Sequence, residues 1–166
     1  MINEQNAVPR IFDFEVVLAS ASPRRRELMH MLVPDLVVAE SRDVDETYPH
    51  DLPAEEVPEW ISRIKADAYS DYVGSDRVLL TADTVVILDG RILGKPHYEA
   101  EACEMLRRLS GNTHTVVTGV CLTTPERRIS FSEHTQVEFD PMTDAEIKAY
   151  VEAFRPLDKA GAYGIQ

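Results

Sequence analysis

Two hydrophobic periods alternate along this chain. Val16-Val17-Leu18 is a short uninterrupted apolar run, the pattern of a buried strand. Small residues follow, then a helix predicted over residues 22–32, with Ser22 as its N-cap, Pro23 in the first turn and Leu28, Met29 and Leu32 as its apolar side. Pro34 ends that helix, and Leu36-Val37-Val38-Ala39 reads as a second short strand leading into the acidic segment 40–46. Pro49 to Pro58 is a proline-marked connection. The next helix, about 54–72, carries Val57, Trp60, Ile61, Ile64 and Ala68 at three- and four-residue spacing, with Trp60 as a core anchor. Residues 78–82 form an apolar strand with Asp83-Thr84 at its end. Residues 85–88 follow, and Asp89-Gly90 signals a tight hairpin returning through Arg91-Ile92-Leu93. A helix over 98–109 turns Ala102, Met105, Leu106 and Leu109 inward and stops at Ser110-Gly111. Residues 114–124 are a long strand, and 128–139 return as its half-exposed antiparallel partner. Thr143-Asp144-Ala145-Glu146 is a capping box that opens a helix to about Phe154, and a glycine-punctuated loop over 155–166 closes the sequence.

Composition narrows the class. A length of 166 residues fits one domain or two closely packed lobes, and 44% hydrophobic residues suffice to bury a core. The 17 basic against 29 acidic residues give −12, which argues against broad nucleic-acid or membrane binding. An anionic ligand must therefore meet a local positive cluster or a metal ion. No run approaches membrane-spanning length, and the first fifteen residues lack a cationic, apolar leader, so a cytoplasmic protein is expected. Cys103 and Cys121 are too far apart for a zinc site or a disulfide framework and read as free thiols.

The chemistry begins at the first strand-to-helix turn. Three arginines, Arg24, Arg25 and Arg26, follow Pro23 at a helix start, where the macrodipole opposes cations by roughly 0.3–1 kcal/mol each. A small-residue turn, free amides and forked guanidinium groups at one spot suit a phosphate or carboxylate. Arg24 and Arg25 are read as that anion site, and Arg26 as solvated. Asp83 interrupts two apolar runs, where a carboxylate is costly unless paired or bound to metal. Lys95 stands between Gly94 and Pro96; alone it reads as a surface lysine. The acidic segment Glu40-Ser41-Arg42-Asp43-Val44-Asp45-Glu46 alone reads as a solvated loop. His114 and His134 have no ligand spacing to another His or Cys and read as structural.

Five blocks, taken together, resemble the Maf family of nucleotide pyrophosphatases: LASASPRRREL at 18–28, SRDVDE at 41–46, ADTVV at 82–86, GKP at 94–96 with RLSGNTHTVVTGV at 108–120, and PLDKAGAYGIQ at 156–166. The first and last blocks are similar to the branch acting on dTTP and UTP. The resemblance implies an α/β fold of two lobes around a central groove, with a mixed sheet flanked by helices and similar to inosine-triphosphatase architecture. It implies a single Maf-like domain over 1–166, with residues 1–14 as a lead-in and the family's usual C-terminal tail absent. The implied reaction is metal-dependent hydrolysis of a nucleoside triphosphate to the monophosphate and pyrophosphate, with Mg²⁺ or Mn²⁺ as the ion. Asp83 is the implied proton acceptor and metal contact, and Glu46 helps hold the ion, so the acidic loop becomes functional. Arg25, Lys95 and Lys159 clamp the triphosphate, Ser20 and Ser22 supply hydroxyl and amide contacts, and Arg24, Thr84 and Gln166 choose the base. The family also suggests dimers.

One departure concerns a lysine on the second helix that in this branch helps hold the substrate. Aligned without a gap, its position falls on Ala68, and Lys65 lies one turn earlier on nearly the same side. Two other readings therefore stand beside the first: a non-catalytic, nucleotide- or partner-binding regulator of cell division, and a 7-methyl-GTP pyrophosphatase.

Overall fold

The computed structural model describes residues 12–164. Among them a six-stranded sheet has the order β2-β1-β3-β5-β6, with β4 paired to β3. The strands are β1 (Glu15–Leu18), β2 (Val37–Val38), β3 (Arg77–Leu88), β4 (Arg91–Leu93), β5 (Thr113–Thr123) and β6 (Arg128–Glu138). Four helices accompany them: α1 (Pro23–Leu32), α2 (Val57–Ala68), α3 (Glu99–Leu109) and α4 (Asp144–Phe154). β1 pairs in parallel with both β2 and β3, whereas β3 and β4 form an antiparallel hairpin, so the sheet is mixed, as expected. Asp89 and Gly90 both take positive φ at the hairpin turn, the backbone that a two-residue connection requires.

The chain divides into two compact units. Among the described residues the first holds 12–48, 59–83 and 119–131. Its β1 is buried on both faces: Val17 and Ala19 pack with Ala39, Ala66, Tyr69, Leu79 and Cys121, while Val16 and Leu18 pack with Val33 and Leu36. A strand covered on both sides reads as a continuous apolar run, which is why Val16-Val17-Leu18 was legible. The second unit holds, among the described residues, 49–58, 84–118 and 132–164. There α3 and α4 bury Ala102, Leu106, Ile147 and Val151 together with Ala162, and Val86, Leu88, Leu93 and Leu109 form a neighbouring cluster. Thr143 caps α4 through the reciprocal bonds expected of its capping box.

Three sequence expectations need correction. Asp83-Thr84 does not end a strand: β3 runs unbroken for 12 residues through both, because Asp83 finds a cationic partner that makes a mid-strand carboxylate tolerable. The apolar side of α1 is largely exposed, with Leu28 at 54% and Leu32 at 66%, and only Met29 joins a core cluster. Trp60 is 39% exposed and is no core anchor; its indole Nε1–H donates to the Thr47 carbonyl.

Candidate active site

In the first unit, the turn after β1 and the start of α1 form a hydrogen-bonded knot. Ser22 is the N-cap of α1, its Oγ accepting from the Arg25 amide, and its own amide donates to Ser20 Oγ at 3.2 Å. Arg25 Nη1 donates to the Ala82 carbonyl at 2.8 Å and to Ser20 Oγ at 3.4 Å. The guanidinium is thereby pulled back along β3, one residue from Asp83. Burial pulls the Arg25 guanidinium below its ordinary value, and the negative charges of Asp83 and then Glu46 oppose that pull. Arg24 lies half-buried in the same helical turn. Arg26 is not merely solvated: its Nε–H donates to the Ser20 carbonyl at 3.1 Å.

The two acidic candidates meet at one nitrogen. Lys65 Nζ, from α2, lies 2.8 Å from Asp83 Oδ1 and 3.0 Å from Glu46 Oε1. The Lys65 and Asp83 side chains are only 16% and 15% exposed, whereas Glu46 is half exposed. Ala68, to which an ungapped alignment assigned the lysine position, is exposed, and its carbonyl accepts a hydrogen bond from Arg42 at 2.7 Å. The ammonium beside the carboxylates is therefore Lys65.

Arg42, which the sequence did not single out, fixes the loop that carries Glu46. Its guanidinium grips Asp71 with two 2.6 Å bonds and lies over the Tyr69 and Tyr72 rings, and its amide donates to the Tyr69 hydroxyl. That fork holds Asp71 well below the usual carboxylate range and raises Arg42 further. The paired tyrosines three residues apart after α2 were the available signal. At the other end of the loop, Asp45 accepts from the Thr47 amide and hydroxyl, and Trp60 binds the Thr47 carbonyl.

In the second unit, Thr84 Oγ1 is 2.9 Å from Thr118 Oγ1. Lys95 is exposed on the turn after β4. Lys159 bonds to Asp158, and this holds the Asp158 carboxyl below its ordinary value, with a smaller pull from Lys95 in the same direction. The two lysines thus act on one carboxylate. The Gly161 amide donates to the Gly94 carbonyl at 3.1 Å, tying the Lys159 segment to the Lys95 turn. Gly161 takes a φ of +67°, and a Cβ there would lie 3.0 Å from both Val86 methyls. Close by, His114 is buried. Its Nε2 lies 2.7 Å from the Tyr163 hydroxyl, and burial lowers the imidazole below its ordinary value while pushing the phenol up to about 12. Gln166 lies outside the described residues.

The site candidates therefore fall into two sets. Ser20, Ser22, Arg25, Glu46 and Asp83 are joined through hydrogen bonds, charge and Lys65 in the first unit. Lys95 and Lys159 are joined through Asp158 and Gly161 in the second. No group of three or more His, Cys, Asp or Glu side chains suited to a metal ion occurs among the described residues. No helix among them is long and apolar enough to cross a membrane.

Comparison with known proteins places these features in a family. A family model described as Maf-like protein matches residues 15–166. A dTTP/UTP pyrophosphatase of Bacteroides thetaiotaomicron is 54% identical over 153 residues, spanning 92% of this chain and 79% of that protein. A protein of the same name from Bacillus cereus is 45% identical over 154 residues, spanning 92% of this chain and 78% of its own. Among solved structures, a HAM1 protein from Coxiella burnetii aligns over 75% of this chain and 72% of its own, at 17% identity and a TM-score of 0.48.

Proposed function

The chain belongs to the Maf family, and from that premise we propose that it hydrolyses dTTP and UTP to the nucleoside monophosphate and pyrophosphate. The observation that carries this reading is the convergence of Glu46, Asp83, Lys65 and Arg25 around one point of β3. Both compact units are read as parts of one family domain over residues 1–166. A reducing cytosol is the setting we assign, in keeping with two free thiols.

Cleavage of the α–β anhydride needs an in-line water, a base to take its proton, and positive charge on the departing phosphates. Asp83 is assigned as the base: its Oδ1 is already oriented by a fixed cation, and its place in mid-strand gives it a rigid mount. As the water oxygen bonds to the α-phosphorus, its proton passes to Asp83. The bond from that phosphorus to the bridging oxygen breaks, and the oxygen leaves with pyrophosphate. Arg25, with the Ser20 and Ser22 hydroxyls and the amides of the α1 start, is assigned to the phosphates in the first unit. Lys95 and Lys159 are assigned to them in the second, and Arg24, Thr84 and Gln166 to the base. Lys65 supplies a cation beside both carboxylates, which supports the catalytic reading despite Ala68.

Glu46 and Asp83 fit a divalent ion. Two hard carboxylate oxygens already approach one positive centre, and Mg²⁺ ordinarily takes one or two protein carboxylates with phosphate oxygens and water completing its shell. Bound there, Mg²⁺ or Mn²⁺ would neutralise charge developing on the phosphates.

Product analysis with Mg²⁺ or Mn²⁺ against dTTP, UTP, CTP, GTP, ATP and 7-methyl-GTP tests this reading. Pyrophosphate with dTMP or UMP is expected, and turnover of 7-methyl-GTP alone would refute the branch. Asp83→Asn should abolish turnover and leave nucleotide binding largely intact.

A further inference from the structure

His114 is a buried polar residue in a position that Leu or Phe could fill. It is the second residue of β5, 2% exposed, and its ring stands edge-on to Phe139 at 5.0 Å and to Tyr163 at 5.4 Å. Phe139 and Tyr163 meet at 4.8 Å and 72°, closing a three-ring cluster. Apolar packing alone does not need an imidazole, and burying one carries a desolvation penalty. Its Nδ1 is buried and has no hydrogen-bond partner among the described residues. An orphaned N–H is rarer in protein interiors than an orphaned acceptor, so the proton is assigned to Nε2, which donates to the Tyr163 hydroxyl at 2.7 Å. That one hydrogen bond accounts for the histidine.

What it holds is the segment after Lys159. This segment is pinned at three places: the Gly161 amide on the Gly94 carbonyl, the Tyr163 hydroxyl on His114, and the Gly164 amide on the Tyr150 hydroxyl. Lys159 lies two residues before the first pin, and Lys95 follows Gly94 directly. Both lysines therefore leave the backbone beside the same Gly161–Gly94 bond. The Gly161 backbone packs closely on Val86, whose methyls stand where a side chain would project. Releasing Tyr163 removes the pin between Gly161 and Gly164 and loosens the stretch that follows Lys159.

We infer that His114, acting through Tyr163, is a positioning residue that sets the Lys95–Lys159 pair at the spacing needed to grip a polyphosphate. The inference rests on the triphosphate-clamping role assigned to these lysines above. It predicts that the hydroxyl of Tyr163, which binds His114, governs substrate affinity.

The experiment compares the intact protein with His114→Leu, His114→Gln and Tyr163→Phe. Gln places an amide nitrogen near the site of the imidazole Nε2, and Phe removes only the hydroxyl while keeping the ring cluster. Steady-state kinetics with UTP gives KM and kcat separately, and calorimetric titration with inorganic tripolyphosphate reads the grip on phosphates, the lysine pair included, without a nucleoside. Losing one positioning hydrogen bond should raise KM and weaken tripolyphosphate binding about tenfold in Tyr163→Phe and His114→Leu. kcat should stay within about twofold, and His114→Gln should recover most of the affinity. If both variants unfold at lower temperature yet keep the parent KM and tripolyphosphate affinity, the histidine is merely structural and the inference falls. It also falls if the parent does not bind tripolyphosphate. If the parent binds tripolyphosphate with this pattern but hydrolyses no nucleotide, positioning stands and the enzymatic reading fails.

Discussion

Replacing Lys65 by Met tests the centre of the site through stability as well as chemistry. Lys65 Nζ sits 2.8 Å from Asp83, and both side chains are about 85% shielded, so solvent can do little to replace the ammonium. At an effective dielectric of 20 the pair attraction is about 6 kcal/mol before desolvation is subtracted. Removing one partner of a fully buried pair typically costs about 3–5 kcal/mol. Here the residual exposure of both groups and the nearby charge of Arg25 reduce that toward about 2–3 kcal/mol. Glu46, half exposed, adds at most about 1 kcal/mol. For a chain of 166 residues, a loss of about 3 kcal/mol lowers Tm by roughly 6–12 °C. Thermal unfolding at pH 7 of Lys65→Met, Asp83→Asn and the double variant checks this. The double variant should be more stable than Lys65→Met alone, because the stranded charge is gone. A Lys65→Met loss below about 1 kcal/mol, or no recovery in the double variant, would refute the reasoning.

Other expectations follow from the same structure. His114, held below its ordinary value by burial, rejects a proton that the unfolded chain accepts below about pH 6.5. Its contribution is therefore complete above that pH and is lost as pH falls through the folded value, with a slope of at most about 1.4 kcal/mol per pH unit. His114→Gln should flatten the decline of Tm with falling pH, and parallel curves would disprove it. Gly161→Ala combines a positive φ with a Cβ 3.0 Å from the Val86 methyls and should cost about 2–4 kcal/mol in denaturant titration. Arg42→Lys keeps the charge but loses the fork on Asp71 and the stacking on two tyrosines. Amides 40–47 should then exchange roughly fivefold faster while those of β3 stay protected.

Much of the architecture was legible because its signals are local. The cap at Ser22, the box at Thr143, the Asp89-Gly90 turn and the doubly covered β1 each depend on a few adjacent residues. The errors arose where a partner distant in sequence decides the outcome. Asp83 looked like the end of a strand because a lone carboxylate in an apolar run is costly; Lys65, 18 residues away, removes that cost. Trp60 looked like core because its spacing is helical, but its indole serves the loop at Thr47 instead. An ungapped alignment points to Ala68 with Lys65 one turn earlier, and only the folded chain shows that Lys65 lies beside both Glu46 and Asp83. Arg42 was invisible because its grip depends on Tyr69, Asp71 and Tyr72, which a helical ending brings back to it.

The two cysteines offer a consequence of another kind. Cys121 is fully buried in the first unit, whereas Cys103 is half-buried on α3 in the second. A thiol reagent therefore meets two clocks in one molecule, each ticking at the opening rate of its own surroundings. Cys103 should label through small local fluctuations, and Cys121 only when the packing around β1 comes apart. Following the two labels by peptide mass would read whether the units open together or in turn, and ligand-induced slowing of either clock would report which half a nucleotide tightens.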